Sequence, residues 1–193
     1  GTGKTTLGMQ FLQTGLEAGE RCLFVSTEQT RDELRKSFAG YDFDLDHEEL
    51  AITSLHASPD RESGGGSQLR LRTLEGDTIV DDQFVEFTLS NITDYLRRGA
   101  SADRIVLDSV SALEVLTEGS GLFRRYLLEL LQTLTGEMEA TTLLTAEADR
   151  EGYAADVLEY STHGVLRLTR KAVNEDPHRF LEVAKMRGVD HDP

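Results

Sequence analysis

Gly1-Thr2-Gly3-Lys4-Thr5-Thr6 opens the chain, and its reading decides the fold. The hexapeptide is the second half of the phosphate-binding pattern G-x-x-x-x-G-K-[ST]. Gly1 and Gly3 let consecutive backbone N–H groups turn inward around anionic oxygens. Lys4 adds a mobile point charge for the β- and γ-phosphates, and the Thr5 hydroxyl can ligate Mg2+. Leu7, Phe11, Leu12 and Leu16 follow at near-helical spacing as far as Gly19. A helix therefore starts at the motif and aims its positive end at the phosphates. The pattern's first glycine would lie three residues ahead of Gly1, and a strand normally precedes such a loop. The chain thus reads as a fragment beginning inside its own phosphate site, and such a fragment is expected to hydrolyse nucleotide poorly.

Outward from this loop, segments that read as buried strands alternate with segments that read as helices. Alternation of this kind argues for an α/β fold with a mostly parallel sheet. The strands are expected at Arg21–Ser26, Leu50–Leu55, Arg104–Ser109 and Thr141–Ala146, with a closing pair at Gly164–Thr169 and Arg179–Met186. That pair is joined through Asn174-Glu175-Asp176-Pro177 and reads as a hairpin at the sheet's edge. Thr30 and Glu33 have capping-box spacing and open a helix running toward Gly40. Leu89, Ile92, Tyr95 and Leu96 mark another helix, capped near Ser90. Phe123, Leu127, Leu130 and Leu134 give an amphipathic helix over 121–136 whose stripe belongs to the core. Ala57 to Asp82 is the least regular stretch; around Ser63-Gly64-Gly65-Gly66-Ser67 it reads as a mobile surface loop.

At 193 residues the chain suits one domain, spanning 1–193. No apolar run is long enough to cross a membrane. The single cysteine, Cys22, forbids an intramolecular disulfide and fits a reducing, cytoplasmic setting. The net charge of −15 opposes nucleic acid and anionic lipid. Excess carboxylate suits a salt-rich cytoplasm, and an ordinary acidic protein is the plainer alternative.

Two carboxylates and two cations complete the candidate chemistry. The apolar run Ile105-Val106-Leu107 ends in Asp108, a Walker B pattern that delivers a carboxylate to the sheet's ligand-binding edge, where it can hold Mg2+. The alternative is an Asp that merely starts a turn. Glu28 ends the strand after the first helix, well placed to position an attacking water. A glutamate attracted to a helix start is the competing reading. Lys185 and Arg187 alternate about Met186, so strand geometry sends both to one face. They suit either a solvated edge or cationic fingers that reach a neighbouring subunit's phosphates. His191 follows closely.

Taken together, these blocks resemble the KaiC-like ATPases of the RecA superfamily, nearly end to end. The matching stretches are Gly1–Thr6, Phe24–Gln29, Arg104–Leu113, Thr141–Glu147 and K-M-R-G-V-D-H-D at Lys185–Asp192, the last being the most diagnostic. The resemblance implies a RecA-type core and ATP held with Mg2+ between the subunits of a hexameric ring. It implies that Gly1, Thr2, Gly3, Lys4, Thr5 and Thr6 wrap the phosphates, with Thr5 and Asp108 on the metal. Glu28 would be catalytic, and Lys185, Arg187 and His191 would act in trans on the adjacent nucleotide. Glu147 falls in a sensor segment. The single ATPase unit fits the archaeal single-domain type, whereas the clock protein carries two such units.

Where the family often has two consecutive glutamates, this chain has Glu28-Gln29. An amide can position water but cannot take its proton. The slots of the clock protein's phosphorylated pair hold Glu159 and Tyr160, so autokinase activity is not expected. An ATPase acting in signalling or regulation, with an unidentified protein partner, is the leading expectation. A nucleotide-gated assembly module with little hydrolysis is the alternative that Gln29 keeps open, and a DNA recombinase is the reading the acidity disfavours.

Overall fold

The computed structural model describes residues 2–58, 68–75, 78–86, 93, 102–115, 120–137, 139–147, 153–174 and 176–188. Helix α1 spans Lys4–Glu17, strand β1 Cys22–Ser26, helix α2 Arg31–Ser37 and strand β2 Leu50–Ser58. Strands β3 (Gln68–Glu75), β4 (Thr78–Glu86) and β5 (Arg104–Asp108) follow. Then come helices α3 (Val110–Val115) and α4 (Ser120–Gln132), the latter prolonged by a π-turn at Thr133–Glu137. Strand β6 (Thr141–Leu144), helix α5 (Tyr153–Ser161) and strands β7 (Gly164–Val173) and β8 (Asp176–Met186) complete the order.

A six-stranded sheet runs β4-β3-β2-β1-β5-β6. Strands β2, β1, β5 and β6 are mutually parallel, and β3 and β4 run antiparallel at one border. β1 and β5 read as unbroken apolar runs because both their faces are covered. Cys22, Phe24 and Val106 belong to a core shared with Met9, Leu12 and Leu16 of α1 and Leu34 of α2. Leu23, Val25, Ile105 and Leu107 belong to a second core with Phe123, Leu127 and Leu130 of α4 and Val157 and Leu158 of α5. Period-two alternation along each strand thus sorts one sequence run into two helix layers. The expected stripe on the helix after Gly121 is core, as its spacing implies.

Close approach holds α1 on the sheet. A Cβ built on Gly8 would come within 3.0 Å of Val106, and one on Gly15 within 2.7 Å of Arg104. Arg104 in turn donates from Nη1 to the Phe11 carbonyl at 2.9 Å and ion-pairs with Glu20. Helix α2 begins with the expected capping box, Thr30 Oγ1 accepting from the Glu33 N–H and Glu33 accepting from the Thr30 N–H. Among the described residues, no helix is long and apolar enough to cross a membrane.

The stretch read as a loop between Ala57 and Asp82 is corrected. β2 extends to Ser58, and β3 and β4 pair beyond it, with a register irregularity between Thr73 and Leu74. The tract 63–67 and the helix expected near Leu89–Leu96 lie outside the described residues, apart from Thr93, which is helical and buried. The closing hairpin is present and longer than expected, since Val173 pairs with Asp176 across only Asn174-Glu175. Asn174 has φ 51°, the left-handed conformation that a two-residue hairpin loop demands. β7 and β8 form a two-stranded sheet of their own rather than the edge of the large sheet, whose borders are β4 and β6.

Burial pushes the Cys22 thiol up from 9.0 to about 11, against the opposing pull of Arg104. The unfolded thiol ionises first, so between pH 9.0 and 11 the native state keeps a proton that the unfolded chain has lost. Stability is therefore expected to fall as pH rises through this window. Denaturant melts of the parent should show a steeper fall there than those of Cys22→Ala; parallel curves would contradict the account.

Candidate functional site

Strand order reverses around β1. The chain leaves β1 for β2 on one side and returns to β5 on the other, which opens a crevice at the carboxyl ends of β1 and β5. Ser26 is in register with Asp108 at that edge. Gly3 stands at φ 102° as the N-cap of α1, a conformation suited to glycine, and Lys4, Thr5 and Thr6 form the helix's first turn. Gly1 lies outside the described residues, as does His191.

The first turn of α1 and the tip of β5 meet directly. Thr5 Oγ1 donates to Asp108 Oδ2 at 2.7 Å, bridging residues far apart in sequence. The other carboxylate oxygen, Oδ1, accepts from Thr145 Oγ1 just beyond β6. Asp108 is 5% exposed, and each of its carboxylate oxygens accepts from one protein hydroxyl in a sheltered setting.

β1 is tied to the same edge. The Thr27 N–H donates to the Asp108 carbonyl at 2.7 Å. The Ser109 N–H donates to Thr27 Oγ1 at 2.8 Å, and that hydroxyl donates on to the Ser109 carbonyl at 2.9 Å. Ser109 Oγ donates to Glu28 Oε1 at 3.0 Å, which draws the exposed Glu28 toward the residue after Asp108. Gln29 is turned elsewhere: its Nε2 donates to Ser37 Oγ at 3.4 Å, at the end of α2. Glu147, beyond β6, is held by its own N–H, which donates to Ser111 Oγ at 2.8 Å.

Lys185 and Arg187 come together with each other, at the C-terminus of α5. Lys185 Nζ donates to the carbonyls of Glu159 at 2.6 Å, Thr162 at 2.7 Å and Tyr160 at 3.3 Å. Arg187 Nη2 donates to the Tyr160 carbonyl at 3.0 Å. Both cations therefore satisfy the otherwise orphaned carbonyls at a helix's negative end. Desolvation, and then the neighbouring Arg187, lower the Lys185 pKa below its ordinary value. Among the described residues, neither cation has a hydrogen bond or ion pair to the phosphate loop.

The donor set at Thr5 and Asp108 is a hydroxyl and a carboxylate, all oxygen and suited to a hard cation. Among the described residues, no cluster of three or more His, Cys, Asp or Glu could hold a metal by itself. Mg2+ needs no such cage, because it retains waters and takes phosphate oxygens. The residues present fit that ion.

Against known proteins, the family model described as "ATPase: KaiC" matches residues 1–193. The chain belongs to the KaiC ATPase family. It is 30% identical over 194 residues to a UPF0273 protein of Methanopyrus kandleri, covering 99% of this chain and 73% of that one. It is likewise 30% identical over 197 residues to the circadian clock oscillator protein KaiC of Synechococcus elongatus, covering 99% of this chain but only 35% of that protein. A crystal structure of a KaiC-like protein from Pyrococcus horikoshii superposes with a TM-score of 0.74 at 28% identity, covering 100% of this chain and 78% of that one. Membership puts this KaiC-type chain among ATP-binding P-loop ATPases with the RecA-type architecture expected from the motifs.

Sequence reading passed over Thr145, Ser109, Thr27 and Ser111. Thr145 directly follows the last residue of β6, and its role shows only through strand register. Leu107 pairs with Leu144, which sets Thr145 level with Asp108.

Proposed function

We propose that this KaiC-type chain, acting as a single ATPase domain, binds Mg-ATP at the Gly3–Thr6 turn and hydrolyses it with water positioned by Glu28. The observation that carries this reading is the Thr5–Asp108 hydrogen bond at 2.7 Å, with Glu28 drawn to the same edge through Ser109. Lys4 and the first N–H groups of α1 grip the phosphates. Thr5 and Asp108 hold Mg2+, which supplies charge neutralisation at the phosphate oxygens. Glu28 orients the attacking water and accepts its proton, and Gln29, engaged with Ser37, leaves that task to its neighbour. Lys185 and Arg187, with His191, complete the site of an adjacent subunit in a ring, and the assembly serves a signalling or regulatory role.

Phosphate release by the full chain tests the proposal. Glu28→Gln is expected to lower kcat by about a hundredfold with KM near the parental value. An unchanged kcat would remove Glu28 from the reaction. Read against chain concentration, the same assay should show specific activity rising as subunits associate. A specific activity that stays constant on dilution would remove Lys185 and Arg187 from a role in trans.

A further inference from the structure

The hydroxyl of Thr145 is fixed more firmly than simple packing requires. Its own backbone N–H donates to the Leu107 carbonyl at 3.0 Å, and its carbonyl accepts from the Val110 N–H at 2.8 Å. One residue thus brackets Asp108 from both sides along the chain. Thr145 and Asp108 are each 5% exposed, and the hydroxyl donates to Oδ1. Only Oδ2, the oxygen facing Thr5, remains on the phosphate-loop side.

We propose that Thr145 is a positioning residue that sets cation choice, by holding Oδ1 in a hydrogen bond so that Asp108 meets a metal ion or its water shell through Oδ2, the oxygen facing Thr5. This rests on the Mg-nucleotide reading above. Ca2+ takes many oxygens in flexible geometry and readily accepts both oxygens of one carboxylate. Mg2+ keeps near-octahedral geometry, retains waters and asks one oxygen of each carboxylate. A carboxylate held to one-oxygen contact by a hydrogen bond on its other oxygen therefore discriminates against the larger ion. Partners in this outer position commonly tune the metal as strongly as they orient the ligand.

The test titrates the full chain with a fluorescent, non-hydrolysable ATP analogue in Mg2+ and, separately, in Ca2+. The ratio of the two affinities is the readout, and it requires no turnover. The parent should prefer Mg2+. Thr145→Val should lower that preference by about tenfold, mainly through tighter binding in Ca2+, and Thr145→Ser should restore it. If Thr145→Val yields no folded protein, Thr145→Cys keeps the volume with a far weaker donor and should lower the ratio in the same direction. An unchanged ratio in the donor-poor variant, or an equal loss in Thr145→Ser, overturns the proposal and leaves the nucleotide site standing. A parent that shows no divalent-dependent binding of the analogue overturns both.

Discussion

Lys4→Ala is expected to reduce Mg-ATP affinity by about a hundredfold, corresponding to roughly 3 kcal/mol of charge-assisted hydrogen bonding in a sheltered site. Lys4 is half-buried on the first turn of α1, directly after the left-handed Gly3. Its neighbour Thr5 reaches Asp108, so the turn that carries Lys4 is the one that meets the tip of β5. The backbone N–H groups of the turn survive the substitution, so weak phosphate binding remains while the mobile charge is lost. The fold should be untouched, because the buried face of α1 is Met9, Leu12 and Leu16. Calorimetric titration with a non-hydrolysable analogue reads the affinity, and thermal melts without nucleotide read the fold. Nucleotide should raise the Tm of the parent far more than that of the variant. Parental affinity in Lys4→Ala would place the phosphates elsewhere.

Phe24→Ala is expected to destabilise the chain by about 3–5 kcal/mol, lowering Tm by about 10 °C for a domain of this size. Phe24 is 0% exposed on β1, a central strand with partners on both sides. Its ring shares a core with Leu12, Leu34 and Val106, so truncation leaves a void that α1, α2 and β5 cannot all close. Domains of this kind have about 5–15 kcal/mol in total, so the loss is a large fraction. Phe24→Leu keeps most of the volume and should lose less than half as much. Chemical denaturation of the two variants checks this, and equal losses would mean that the ring fills no specific space.

The phosphate loop, Asp108 and Glu28 were legible in the sequence as candidate site residues because each rests on local chemistry. A glycine-lysine-threonine turn has few other uses, and an apolar run closing on Asp or Glu signals the edge where a buried strand emerges. The β3–β4 pair was missed for a physical reason. Leu69, Leu71 and Leu74 fall among Arg70, Arg72 and Thr73, the alternating pattern of an antiparallel strand rather than the continuous apolar run of β5. The nearby glycine tract drew the reading toward a loop. Thr145 and Ser109 were not legible as partners because their meaning lies in strand register. Nothing in T-T-L-L-T announces which residue will stand level with Asp108 until β5 and β6 are paired. Lys185 and Arg187 were legible as a pair on one face, but their engagement with α5 depends on how the hairpin folds back.

That engagement has a mechanical corollary. Three carbonyl oxygens near the end of α5 depend on one ammonium, and one of them also accepts from Arg187. An anion that lures Lys185 away leaves the Glu159 and Thr162 carbonyls without their ammonium donor, so the last turn must unwind or hydrate there in the same event. Hairpin displacement and helix fraying are therefore two readouts of a single motion, and a probe placed at Tyr160, 83% exposed, would report on both.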